Sequence, residues 1–141
     1  MAKGVAPQQD GFALQEGLWL KALAGGANRK FQSGITAKAS GSQTVYTQLA
    51  SYIYCYQIDT CTTNGDAVAL PSAQAGTICV VINNTATSSL SVYAFQGLNN
   101  GSINNDTINN NSNATANSIA AHTATIYICA KIGVWYAIKS A

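Results

Sequence analysis

The sequence predicts an all-β domain, a sandwich or barrel of short strands, that follows an extended Gly-rich arm. Three observations support this prediction. From Thr44 onward, runs rich in β-branched and aromatic residues are separated by turn signals. Within several of these runs, successive residues alternate between two chemically distinct faces, as in strands. No segment after Thr44 has a helical period, so the sequence requires no helix there.

The first part of the chain, residues 1–43, is predicted to be the arm. Seven glycines from Gly4 to Gly41 are spaced too closely for long regular elements. The dense apolar stretch at residues 12–23 fits either a short helix broken near Gly17 or an extended segment. Such an arm cannot build a core alone, so it is expected to pack on a neighbouring subunit or on its own domain.

The second part, residues 44–141, contains the predicted strands. They cover residues 45–49, 52–62, 67–70, 77–82, 89–95, 123–130 and 134–138. Tyr52, Tyr54 and Tyr56 fall on one face of the second strand. A ladder of tyrosines suits an interface or a half-wet sheet face, because each ring buries area while its hydroxyl still finds a partner.

Three other segments have distinct patterns. Residues 77–82 form a continuous apolar run, which is typical of a strand buried on both faces. Residues 98–117 are rich in Asn and contain no aromatic residue, so they are predicted to be a long exposed loop with turns. Residues 123–138 are predicted to form a hairpin that turns around residues 131–133.

The composition favours self-association. Charged residues make up only 9% of the chain and hydrophobic residues 48%, whereas about 25% is the usual charged share. Little charge is left to keep copies apart. The net charge of +2 is too small to indicate nucleic-acid binding. The first 38 residues carry five basic and two acidic side chains, against two and three in the rest, so the arm has a modest basic bias.

No cofactor, membrane segment or export signal is predicted. The four cysteines lack CxxC pairing, so we expect reduced, mostly buried thiols and no zinc site, and Cys55 with Cys61 is the only close pair. The N-terminus lacks the apolar region of a secretory signal, and no run approaches the roughly 18 apolar residues of a membrane span. Synthesis in the cytoplasm is therefore expected.

The titratable residues do not predict an enzyme. Nucleophilic, acid–base or metal catalysis needs paired groups, and the chain has one histidine and five acidic residues. His122 lies at the entry to a predicted strand, and Asp59 and Asp66 flank a predicted turn, where aspartate commonly caps its own backbone. Cys129 alternates with apolar strand residues, which is typical of a core position.

An ordered series of short motifs resembles a known family. The series comprises GDAVALP at 65–71, AG at 75–76, VVIN at 80–83, LSV at 90–92, Gly97, IN at 103–104, IYIC at 126–129 and GVW at 133–135. Across residues 45–140 it resembles the antiparallel, jelly-roll-like β-sandwich of decoration (cement) proteins and head fibres of tailed phages. The Tyr ladder and the Asn-rich segment are not part of that pattern.

The resemblance implies a structural virion protein. It implies a homotrimer on the outer surface of an assembled phage head, bridging major capsid proteins, with Tyr52, Tyr54 and Tyr56 as candidates for the trimer interface. The arm is the candidate capsid contact, through these residues: Phe12, Leu18, Trp19, Leu23, Arg29 and Lys30. The alternative is a tail-fibre or baseplate module that binds host-surface carbohydrate. That alternative ranks lower, because the aromatic residues of the β domain lie within predicted strands and the long loop has none.

Overall fold

The computed structural model of the protein describes residues 30–99 and 102–139. Of the predicted arm contacts, Lys30 lies within these residues, and the others, which lie outside them, are Phe12, Leu18, Trp19, Leu23 and Arg29. The described residues form strands and turns without a helix, which confirms the predicted all-β class.

The strands follow one another in short runs. In chain order they are β1 (Lys30–Thr36), β2 (Thr47–Gln48), β3 (Ile53–Thr60), β4 (Asp66–Ala69), β5 (Ile78–Asn83), β6 (Leu90–Tyr93), β7 (Gln96–Asn99), β8 (Ser102–Asn105), β9 (Thr107–Ile108), β10 (Asn117–Ile119), β11 (Thr123–Lys131) and β12 (Val134–Lys139). A six-stranded sheet has the order β1-β3-β5-β11-β12-β9, and a four-stranded sheet has the order β10-β6-β4-β2. β7 and β8 form a separate hairpin.

The chain winds between the two larger sheets. From β1 to β6, odd-numbered strands are neighbours in one sheet and even-numbered strands are neighbours in the other. β3 pairs with β5, β2 with β4 and β4 with β6, in each case parallel. Each of these strands therefore lies beside the strand two places along the chain, which is the arrangement of a β-solenoid. β10 and β11 then return antiparallel to β6 and β5.

The predicted antiparallel, jelly-roll-like sandwich is therefore wrong in its topology. Jelly rolls are built from antiparallel Greek keys, whereas both sheets here contain parallel pairs, β3 with β5 and β4 with β6. Alternation along a strand indicates which side chains share a face, and this pattern is the same for parallel and antiparallel neighbours. The pairing partner depends on contacts between residues far apart in the chain, which local patterns do not report.

Inward-facing side chains of both sheets build the hydrophobic core. Tyr56, Leu70, Leu90, Tyr127 and Trp135 are among its fully buried members. Each such side chain contributes about 1.5–3 kcal/mol by leaving water. The indole Nε1–H of Trp135 donates a hydrogen bond to the Pro71 carbonyl at 3.3 Å, so the largest core side chain carries no unsatisfied donor.

The β domain begins earlier in the chain than predicted. β1 lies next to β3, and Ile35 belongs to the core. Lys38 and Ala67 exchange two backbone hydrogen bonds of 2.9 Å. A Cβ atom on Gly41 would lie 2.2 Å from the Cβ of Ala67, so only glycine allows this close approach. Residues 31–43, assigned to the arm from sequence, are thus integral to the β domain.

The Asn-rich segment is more ordered than the predicted exposed loop. It contributes β7 to β10 among the described residues, and Asp106, Ile108 and Asn117 are buried. One of its side-chain amides takes the place of a backbone acceptor: Asn109 Oδ1 accepts a hydrogen bond from the Ala137 N–H at 2.9 Å. Residues 109–112, 114 and 115 are exposed, as the polar composition predicts, so the correction concerns the strands and the three buried positions.

Candidate docking surface

One surface of the six-stranded sheet faces away from the core and is apolar. In β5, Cys79 and Val81 point inward and are fully buried, so Ile78, Val80 and Ile82 point outward. β11 and β12 have the same two-sided character, because Tyr127 and Trp135 are buried while their neighbours along each strand face outward.

The strand register joins these outward residues into rows. In one row, Val80 lies opposite Ile126, and Ile126 lies opposite Ile138. Cys55 of β3 is in parallel register with Val80 and extends this row. In the next row, Ile128 lies between Ile78 and Tyr136. We call these residues the outer face: Cys55, Ile78, Val80, Ile126, Ile128, Tyr136 and Ile138.

The outer face is exposed and uncharged. Exposed fractions are 54% for Ile138, 43% for Ile78, 40% for Ile126 and 39% for Tyr136. The charged residues of the same strands lie at or near strand ends: Asp59, Lys131 and Lys139. An apolar centre with charges confined to the margin is the typical anatomy of a protein–protein interface.

The exposure of β5 corrects a prediction. The run at residues 77–82 predicted a strand buried on both faces, but the described part of the chain covers only the inner one. β11 is similar, since Ile126 and Ile128 alternate with the buried Tyr127 and Cys129. Sequence reasoning did not identify these outward residues as interface candidates. The sequence did contain a signal for them, because a strand with apolar residues at both sets of alternating positions is expected to have both faces buried.

The three tyrosines of the predicted ladder lie in different environments. Tyr52 is 92% exposed and precedes β3. Tyr54 is half-buried. Tyr56 is fully buried, and its hydroxyl donates a hydrogen bond to the Ala50 carbonyl. Tyr56 is therefore a core residue and unavailable to a subunit contact, because it lies with Ile58 on the inner face of β3. Lys30, the described member of the predicted arm contacts, is exposed at the start of β1.

Asp66 and Asp59 have structural roles. Asp66 is 1% exposed and accepts hydrogen bonds from the N–H and hydroxyl groups of both Thr62 and Thr63. These bonds, the Thr63 hydroxyl first, hold the pKa of Asp66 well below its ordinary value. Asn84, then Gln57 and the Gly34 N–H lower the pKa of Asp59 in the same way. Both carboxylates tie turns and strands together.

Asp106 and His122 lie in different environments. Asp106 is buried and accepts a hydrogen bond of 2.6 Å from the Ala73 N–H. Burial raises the pKa of Asp106, and the bond from Ala73 opposes that rise. His122 is exposed in the turn before β11, where its φ of 56° lies in the left-handed region. No group of three or more potential metal-ligating residues occurs within residues 30–99 and 102–139.

The four cysteines are free thiols. Cys61, Cys79 and Cys129 are buried, and Cys55 is half-buried on the outer face. Burial raises the pKa of each thiol, and that of Cys79 reaches about 12. These thiols are therefore protonated at neutral pH and poor nucleophiles.

No helix in the described part of the chain has the length and apolar character to cross a membrane. Comparisons of the chain with protein-family models, curated proteins and solved structures found no match.

Proposed function

We propose that this chain is a non-enzymatic structural subunit that works by docking, and that the outer face binds further copies of the same chain. The observation that carries the proposal concerns β5, β11 and β12. The residues on the exposed face of these strands are apolar, like those on the buried face. Both sets of alternating positions are apolar, but residues 30–99 and 102–139 cover only one of them. A second copy would bury the other set, and the uncharged surface would not repel it.

The size of the outer face favours more than one contact per copy. Four strands spaced about 4.8 Å apart and some 20 Å long give a surface of roughly 400 Å². That is the size of a functional patch, but about half of the roughly 800 Å² per partner in a standard interface. A closed ring gives each copy two neighbours, and the homotrimer implied by the family resemblance is the smallest such ring.

The specific form of the proposal is a capsid decoration protein that binds the outer surface of an assembled tailed-phage head. Its support is the motif series from residue 65 to residue 135, together with the low charge. A protein that binds only the assembled shell stabilises that state by its binding free energy over many sites. Three linked contacts per trimer raise the effective concentration of each. The arm residues Phe12, Leu18, Trp19, Leu23, Arg29 and Lys30 are the proposed capsid contacts.

Self-association is tested by Ile126→Asp, which places a charge in the centre of the outer face. Sedimentation equilibrium is expected to give a trimer for the wild type and a monomer with unchanged far-UV circular dichroism for the variant. Ser118→Asp is the matched control, because Ser118 is exposed on β10 of the other sheet. A monomeric wild type, or a trimeric Ile126→Asp protein, contradicts the proposal.

Capsid binding is tested separately. Removal of residues 2–29 ends before β1 and is expected to leave a folded trimer that no longer co-sediments with phage heads. Quantitative mass spectrometry of virions that contain the chain distinguishes a shell protein, with a copy number comparable to that of the capsid protein, from a fibre with few copies. Unchanged binding after truncation excludes residues 2–29 as the contact.

One observation favours the alternative function, a tail-fibre or baseplate module that binds carbohydrate. The sequence predicts that the aromatic residues of the β domain lie within strands. Tyr52, however, is 92% exposed in the turn that precedes β3.

A further inference from the structure

Tyr52 occupies an unusual position in the backbone and on the surface. Its φ is 64°, in the left-handed region that bulky side chains rarely adopt. Residues held in such conformations concentrate at functional sites, because the surrounding structure must maintain them. Here the conformation places a large aromatic ring almost entirely in solvent, with 92% of its surface exposed.

Tyr52 forms part of a cleft of about 330 Å³. The lining residues are Ser51, Tyr52, Pro71, Ser72, Gln74 and Thr77. The cleft therefore combines one aromatic ring and one proline ring with hydroxyl and amide groups, and none of its lining residues is charged. Concave sites with an apolar surface and a few convergent polar groups are typical of small-molecule binding.

Both walls of the cleft are held by hydrogen bonds to the domain. On the Tyr52 side, Gln48 Nε2 donates hydrogen bonds to the Ala69 carbonyl at 3.3 Å and to the Leu70 carbonyl at 3.0 Å. The Leu49 N–H donates a further hydrogen bond to the Ala69 carbonyl at 2.9 Å. The Tyr56 hydroxyl, bonded to the Ala50 carbonyl, secures the residue before Ser51.

The opposite wall is secured in the same manner. The Pro71 carbonyl accepts from Trp135 Nε1, and the Ala73 N–H donates to the buried Asp106 carboxylate. At its end, the Cys129 N–H donates to the Thr77 carbonyl at 2.9 Å. A cleft with both walls anchored loses little conformational entropy when a ligand binds.

The chemistry of the lining selects a class of ligand. A pyranose ring has an apolar C–H face, which fits flat against an exposed aromatic ring, and a rim of hydroxyl groups that donate and accept hydrogen bonds. Ser72, Gln74 and Thr77 supply matching hydroxyl and amide groups. Because no charged side chain lines the cleft, a carboxylate or sulfate on the sugar would lose hydration without gaining an opposite charge.

We propose that the Tyr52 cleft is a binding site for a neutral pyranose residue of a glycan, with Tyr52 as the stacking platform. None of the cleft's lining residues belongs to the outer face, and the inference does not depend on self-association. It gives the carbohydrate-binding alternative a specific location and ligand class.

The experiment is a titration of isotope-labelled protein, followed by amide chemical shifts. The probes are neutral hexasaccharides of glucose, galactose, mannose and N-acetylglucosamine, with a hexuronate oligosaccharide of equal length as the charged comparison. At least one neutral probe is expected to shift the amides of Ser51, Ser72 and Thr77, and the hexuronate is expected to bind roughly tenfold or more weakly.

The variants separate this site from the outer face. Tyr52→Ala is expected to lose roughly tenfold or more in affinity for that probe, whereas Tyr52→Phe keeps the ring and most of the affinity. Tyr136→Ala is the matched control: it removes an exposed tyrosine of the outer face, so it should weaken self-association and leave saccharide binding unchanged. Amides of the core report whether each variant is folded.

Three results would overturn the proposal: no neutral probe shifts the cleft amides, folded Tyr52→Ala binds as the wild type does, or the hexuronate binds equally well. Loss of saccharide binding in folded Tyr52→Ala would support the site whether or not the wild type self-associates.

Discussion

Asn117 and Tyr127 connect the two large sheets through the core: Asn117 Nδ2 donates a hydrogen bond of 2.7 Å to the Tyr127 hydroxyl oxygen. Asn117 belongs to β10 of the four-stranded sheet and Tyr127 to β11 of the six-stranded sheet. Tyr127 is fully buried, and burial raises the pKa of its hydroxyl well above the ordinary value. The pair is therefore a neutral polar link inside an apolar core.

Removing the Tyr127 hydroxyl is expected to destabilise the protein. Tyr127→Phe leaves the Asn117 amide buried without this acceptor, at a cost of about 1–3 kcal/mol in the free energy of unfolding. Because the two residues are partners, the double variant Tyr127→Phe/Asn117→Ala should be more stable than the sum of the single effects predicts. Urea denaturation of the four proteins measures this coupling, and additive effects would mean that the bond contributes nothing specific.

Asp66 is expected to make the free energy of unfolding depend on pH in the acidic range. Its folded-state pKa lies below the ordinary value of 3.8, so its contribution is present above that value and is lost as the pH falls through the folded pKa. Asp66→Asn should cost about 1.5–3 kcal/mol at neutral pH, since the N–H and hydroxyl donors of Thr62 and Thr63 lose a charged acceptor. The melting temperature of the variant should fall less steeply below about pH 4 than that of the wild type. A parallel fall in both proteins would contradict this role.

Asp106 is expected to have the opposite effect on the pH dependence of stability. Its folded-state pKa is raised, so its protonated form is favoured in the fold, and that contribution is lost as the pH rises through the folded pKa. Asp106→Asn keeps an acceptor for the Ala73 N–H and removes the buried charge. Its free energy of unfolding at neutral pH should equal or exceed the wild-type value, by about 1 kcal/mol at most. Thermal melts of both proteins across the acidic range measure the difference; a clearly less stable variant would show that the charge itself is required.

Cys55 is expected to report on the outer face. It is the most accessible of the four thiols, since Cys61, Cys79 and Cys129 are buried. A thiol reagent should therefore label Cys55 in the native protein and all four thiols after unfolding. Because Cys55 lies in the row with Val80, Ile126 and Ile138, assembly should slow its labelling.

The Ile126→Asp variant provides the comparison for this measurement. As a monomer it should label at Cys55 faster than the wild type, and the wild-type rate should fall as protein concentration rises. Cys55→Ser should abolish native labelling. A wild-type rate that is independent of concentration and equal to that of Ile126→Asp would argue against burial of the outer face.

The sequence alone determined where most of the β domain forms strands. The runs at residues 52–62, 67–70, 77–82, 89–95, 123–130 and 134–138 correspond to β3, β4, β5, β6, β11 and β12. The turn after β11 was also predictable, since Gly133 has a φ of 82°, which glycine adopts without the steric penalty of a side chain. These features depend on neighbours within a few residues, and local sequence contains that information.

Only the tertiary structure decided which strands pair and which faces are covered. Parallel pairing of β3 with β5 joins residues some 25 positions apart, such as Cys55 and Val80. The same coiling buries Tyr56, exposes Tyr52 and leaves Ile126 in solvent, although sequence pattern placed the two tyrosines on one face. Alternation states that two side chains share a face, but burial depends on whether another part of the chain reaches that face, and this is a property of the whole fold.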